Sequence, residues 1–135
     1  MNNTVVIDGN NAVLGRLASF AAKQALLGKQ VVVVNCEHIV LSGQRSTTIE
    51  SYKALRRKGG HAQRGPYFPT RPAMITKRTV RGMLSHKEGR GGAALKRIRC
   101  YEGMPTAFIG STKEHPGTEH NMKTMTLQDL SEELR

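Results

Sequence analysis

The 135-residue chain carries 21 Lys and Arg against 10 Asp and Glu, a net charge of +11, with 38% hydrophobic residues and no tryptophan. That length holds one domain with a modest core, and no apolar run approaches the ~20 residues of a bilayer span. The start, MNNTVVIDGNN, lacks the stretches of an export signal, and the isolated Cys36 and Cys100 have no disulfide-framework spacing, so the chain reads as cytoplasmic, with no membrane partner.

Thr4–Asp8 is a short β-branched run ending at Gly9 and predicts a buried strand and a turn. Leu14, Leu17, Ala18, Ala21 and Ala25 recur at helical spacing, with Gly28 where a C-terminal cap belongs. Gln30–Asn35 follows, apolar on both faces, as suits a sheet covered on both sides. These three elements predict a βαβ unit with a right-handed crossover. Ile39, Val40 and Leu41 extend the apolar pattern to Ser42-Gly43.

A second helix is predicted over 47–58, with Ile49, Tyr52 and Leu55 on its apolar stripe. From Gly59 to Pro72 the chain is rich in Gly, Pro and Arg. The prolines argue against a regular helix, and a loop that orders against a partner is expected. Helix is predicted again over 76–85, with Val80, Met83 and Leu84 on one side and Lys77, Arg78 and Arg81 on the other. Gly89-Arg90-Gly91-Gly92 is read as an interruption, 93–97 as a short helix and 98–101 as the last strand of the core. Beyond Gly103 a polar surface loop is expected up to Met122. Thr126 then caps a terminal helix, with Asp129 in the capping-box position, Leu127, Leu130 and Leu134 on a thin apolar stripe, and Asp129, Glu132 and Glu133 in solvent.

Enzymatic readings find little support. The turn Gly9–Gly15 has five residues between its glycines, then Arg16 and Leu17. A Walker loop needs four, then Lys and a magnesium-binding hydroxyl, and the dinucleotide pattern is missing too. The helix N-terminus could still accept one RNA phosphate. His115 and His120 do not share a helix face, neither cysteine has a ligand-type neighbour, and Cys36 reads as a small core residue. No nucleophile–base constellation and no carboxylate pair lies in the segment that looks functional. The expectation is no enzyme, no metal, no cofactor and no small-molecule substrate.

The charge itself is segregated. From Lys53 to Arg99 there are fourteen Lys and Arg and one acid, Glu88; the other seven basic residues share their segments with nine of the ten acids. A one-sign field of this density opposes compaction unless a partner cancels it, and polyphosphate does so with release of counterions. Arginine outnumbers lysine there, favouring bidentate phosphate contacts, and half of the glycines lie between Gly59 and Gly92, where a phosphate backbone could approach closely. Tyr67 and Phe68 are the only aromatic pair in the basic loop, too few for a single-strand stacking platform, so folded RNA is the expected partner. No helix-turn-helix, finger or zipper pattern suggests DNA. Charge alone nominates Lys53, Arg56, Arg57, Lys58, Lys77, Arg78, Lys96 and Arg97 as contacts.

Six motifs fall in order: Leu14-Gly15-Arg16-Leu17-Ala18-Ser19; Val34-Asn35 through Ser42-Gly43; Arg64-Gly65-Pro66-Tyr67-Phe68-Pro69; Val80-Arg81-Gly82-Met83-Leu84; His86-Lys87 with Arg90-Gly91; and Tyr101-Glu102-Gly103-Met104-Pro105. Together they resemble the ribosomal protein L thirteen family of the large subunit, in its archaeal and eukaryotic branch. The stop at Arg135, without a long C-terminal extension, leans toward the archaeal type. Ser85 stands where that family usually has proline. The resemblance implies an α/β fold, three-layer α/β/α, with a small, mainly parallel four-stranded sheet and a basic helix/loop extension. It implies one domain over 1–135: a βαβ scaffold and second helix over 1–58, an rRNA-facing segment over 59–99, and a polar loop and C-terminal helix over 103–135. By position it places Arg64, Arg71, Arg81, Gly82, His86, Lys87, Arg90 and Gly91 on rRNA. The expected role is a structural constituent of the large ribosomal subunit that stabilises folded rRNA, in contact with neighbouring ribosomal proteins and not as a homo-oligomer. The alternative is an mRNA-binding translational regulator outside the ribosome.

Overall fold

The computed structural model describes residues 4–57, 69–111, 113–118 and 124–134. Strand β1 (Thr4–Asp8), helix α1 (Leu14–Leu26) and strand β2 (Gln30–Val34) form the expected βαβ unit, β1 and β2 pairing in parallel from Thr4↔Gln30 to Asp8↔Val34. The turn after β1 is tight: a Cβ on Gly9 would sit 2.6 Å from Ile39 Cγ1 and 3.0 Å from the Val34 carbonyl. Gly28 takes φ +94° and closes α1 as a left-handed C-cap, a conformation that costs a residue without Cβ little.

Strand β4 (Ile98–Cys100) adds beside β2, and β5 (Lys113–Glu114) beside β1, giving a four-stranded parallel sheet in the order β4-β2-β1-β5. The sheet is covered on both faces, as the unbroken apolar run of β2 anticipates. On one face Ile7, Val31, Val33 and Ile98 pack with Leu17, Ala18 and Ala21 of α1, Ile75 and Val80 of α3 (Pro72–Gly82), and Ala94 of α4 (Gly89–Lys96). On the other face Val6, Val32 and Val34 lie under Tyr101, Met104 and Phe108, in a segment that holds a short 3₁₀ turn. The α/β expectation with its parallel sheet is met, and the second covering layer is this thin segment.

Strands β3 (Val40–Ser42) and β6 (Thr124–Thr126) make a separate antiparallel pair that leads into α5 (Leu127–Leu134). Thr126 caps α5 as expected, its Oγ1 accepting the Asp129 N–H at 3.2 Å, and Leu127, Leu130 and Leu134 are buried. Helix α2 (Arg45–Arg57) buries no residue fully, and Leu55 is 40% exposed. It packs Ile49 and Tyr52, both partly buried, against the core, and polar ties hold it to α5: Arg45 pairs with Glu133 at 3.3 Å, and the Arg56 guanidinium donates to the Leu134 carbonyl. Asp129 and Glu133 are therefore not simply solvated.

Four further expectations need correction. Pro72 does not exclude helix but begins α3, because the first turn has no use for its missing N–H. Gly89–Gly92 does not interrupt a helix but forms the first half of α4. Met83 is 46% exposed, not on the apolar side of α3, which ends at Gly82 ahead of Ser85. The expected loop between Gly103 and Met122 contains β5, which two residues form only because Val6 and Ile7 offer a strand to pair with. Lys58, Arg64, Tyr67, Phe68 and the rest of 58–68 lie outside the described residues.

Candidate nucleic-acid interface

Helices α3 and α4, with the turn joining them, carry Lys77, Arg78, Arg81, Lys87, Arg90 and Lys96, on elements that pack against the same face of the sheet. Helix α3 buries Pro72, Ile75, Thr76 and Val80 against the sheet side, which turns Lys77, Arg78 and Arg81 outward. The turn 83–88 carries His86 and Lys87, and α4 presents Arg90 and Lys96. Among the described residues no carboxylate lies within ion-pair distance of Lys53, Lys77, Arg78, Arg81, Lys87, Arg90 or Lys96. Arg81 Nη2 lies 3.2 Å from His86 Nε2; a guanidinium only donates, so the imidazole nitrogen is the acceptor there.

The geometry of the turn depends on the α4 glycines. A Cβ on Gly91 would stand 2.0 Å from the Ser85 carbonyl oxygen and 2.3 Å from its carbon, and one on Gly92 3.2 Å from the His86 oxygen. Only glycine lets the backbone of 85–86 lie directly on α4, which holds His86 and Lys87 beside Arg90. Gly91 is buried, so its glycine answers an internal contact, whereas Gly82 is exposed with open space where a Cβ would go.

Other cations nominated by sequence are engaged within the fold. Arg97 Nη1 donates to the Ala25 carbonyl at 2.9 Å, satisfying an end of α1. Arg56 ties α2 to α5, Arg57 faces Glu50 at 3.8 Å, and Arg71 faces Glu102 at 3.4 Å. Lys53 lies half-buried on α2. The sequence gives no sign of the contacts of Arg97, Arg56 and Arg71, whose partners lie 72, 78 and 31 residues away.

The place where a nucleotide would bind on such a sheet is the crevice beyond β1, where β2 lies to one side and β5 to the other. The chain fills it with its own loop. The Gly117 carbonyl accepts the Val13 N–H at 3.1 Å, a Cβ on Gly117 would lie 2.9 Å from Arg16 Cβ, and His115 reaches Asp8 at 3.9 Å. Cys36 is fully buried and in contact with Cys100; the hydrogen bond between the thiols, with burial, pushes the Cys36 thiol far up, which leaves it protonated and inert. Burial likewise raises the Tyr52 phenol. Among the described residues no three His, Cys, Asp or Glu side chains form a metal-holding group, and no helix is long and apolar enough to cross a membrane.

Motif order and the α/β scaffold with its cationic side are those of a small structural protein of the ribosomal kind. The family model described as "Ribosomal protein L13" matches residues 2–107. Large ribosomal subunit protein uL13 of Methanosarcina barkeri is 50% identical over 102 residues, covering 75% of this chain and 72% of that protein. The uL13 protein of Methanococcoides burtonii is 42% identical over 134 residues, 96% of each chain, and that of Methanocaldococcus jannaschii 39% identical over 135 residues, 96% of each. The chain belongs to the ribosomal protein L13 family, whose members are structural components of the large ribosomal subunit and not enzymes. The relatives are archaeal, in line with the branch that the motifs suggest.

Proposed function

We propose that this protein binds folded large-subunit rRNA through the α3–turn–α4 face and stabilises it during assembly and in the mature cytoplasmic ribosome, beside neighbouring ribosomal proteins. The observation that carries this reading is the set Lys77, Arg78, Arg81, Lys87, Arg90 and Lys96, all on one side of the core and without carboxylate partners among the described residues. Phosphate neutralisation there lowers the repulsion between RNA segments that converge on the protein. Arg56 and Arg97 serve this reading indirectly, by fixing the scaffold that aims the face. The test is the triple variant Arg78→Glu, Arg81→Glu, Arg90→Glu, followed by gradient fractionation at physiological salt. Exclusion of a normally folded variant from large subunits is the expected result. Its normal incorporation would refute the assignment of this face.

A further inference from the structure

Met74, Lys77, Arg78 and Arg81 follow one another along α3 at i, i+3, i+4 and i+7, and so share one face of the helix. With Leu95 of α4 and Pro69 they line a groove of about 290 Å³, at the lower limit of small-molecule sites. Its exposed lining is mostly apolar, and Met74, 50% exposed, is among the most exposed large apolar side chains described. A surface whose only task was to neutralise phosphate would have no use for an apolar floor between its cations. Three cations on the lining exclude an apolar protein segment as the natural occupant, because docking it would desolvate charges that have no carboxylate partner. An anionic ligand with a flat apolar body meets both requirements.

Resting on the RNA-binding reading above, we infer that this groove receives one unpaired nucleotide of RNA, its base lying on Met74, Leu95 and Pro69 while its flanking phosphates meet Lys77, Arg78 and Arg81. The thioether of Met74 suits an aromatic face, and methionine adapts its shape to whichever base arrives. The base is held by apolar contact and not by a donor–acceptor code, so the groove selects an extruded nucleotide over a paired one with little preference among the four bases. It would thus distinguish a bulged RNA site from a continuous helix.

The test uses the full-length chain and three RNA hairpins of one stem sequence: fully paired, with a single 2-aminopurine bulge, and with an abasic bulge. The 2-aminopurine hairpin should bind about fivefold more tightly than the abasic one, the gain of a single methionine–aromatic contact, with a change in 2-aminopurine fluorescence. Met74→Ala should bring that ratio close to one without altering affinity for the paired hairpin, and Met74→Leu should retain most of the preference. Because Met74 is half exposed, neither change threatens folding. Equal affinity of the wild type for the two bulged hairpins, or a ratio that Met74→Ala does not move, overturns the groove assignment and leaves salt-dependent RNA binding standing. If Arg78→Glu with Arg81→Glu leaves affinity for all three hairpins unchanged, the RNA-binding reading fails, and this inference with it.

Discussion

Gly82 and Gly91 look alike in the sequence: both sit in the basic segment, and the family resemblance places both on RNA. The structure separates them by what surrounds each α-carbon. At Gly91 an added methyl would drive into the Ser85 backbone at 2.0 Å, and neither that turn nor the helix can yield without losing the packing of 85–86 on α4. At Gly82, the last residue of α3, there is open space and φ is not positive. Gly91→Ala should therefore destabilise the fold by about 1–3 kcal/mol, the cost of overpacking, whereas Gly82→Ala should be neutral or stabilise by up to about 1 kcal/mol as the unfolded chain loses freedom. Urea midpoints of the two variants measure the difference, and a Gly91→Ala protein as stable as wild type would show that the turn is not held by this contact. The same reasoning applies to Arg97. Its charge suggests a phosphate contact, but its 2.9 Å bond to the Ala25 carbonyl makes it a capping group for α1.

At the scale of elements, what could be read from sequence was what a local period encodes. The α1 pattern of Leu14, Leu17, Ala18, Ala21 and Ala25 is buried residue for residue, and the four valines of β2 are buried on both faces. The Thr126 cap was equally visible, because a hydroxyl three residues ahead of its acceptor-seeking N–H is a local signal. What stayed hidden depended on distant partners. Lys113–Glu114 becomes a strand only against β1, and Gly89–Gly92 becomes helical against its own propensity because the Ser85 backbone packs there. The approach of Cys36 to Cys100 is invisible at a spacing of 64 residues. Helix α2 is the opposite case: its period was legible but promises more burial than it attains. With no fully buried residue, against six in α1, it is held by the partly buried Ile49 and Tyr52 and by Arg45 and Arg56 reaching α5. Native-state hydrogen exchange should show α2 amides opening at markedly lower free energy than those of α1, and Arg56→Ala should lower α2 protection further while leaving α1 unchanged. Equal protection of the two helices would mean that α2 is held by packing absent from this arrangement.

Taken as a whole, the molecule divides labour between the apolar core around the sheet and a cationic side that this core holds in place. Away from that side Glu50, Glu102, Asp129 and Glu133 each face an arginine. Among the described residues six cations remain without such partners on the α3–turn–α4 face, and on the proposed reading that number sets the ionic response of this face. If each neutralises one phosphate, the slope of log affinity for rRNA against log salt should be about −4 to −5, at about 0.7–0.9 per cation. Affinity would then fall by about a thousandfold between 50 and 200 mM salt. Single substitutions divide the candidates by role. Arg78→Ala should reduce the slope by about one and leave stability almost unchanged, since the side chain has no carboxylate partner among the described residues. Arg97→Ala should keep the slope and instead lower the unfolding midpoint, by the ~1.5–3 kcal/mol of a charged hydrogen bond at most, because its guanidinium is spent on α1. A salt titration of both variants beside the wild type decides the matter: if Arg97→Ala flattens the slope as much as Arg78→Ala, the RNA reaches around the C-terminal end of α4, and the division between holding the fold and holding the RNA dissolves at that residue.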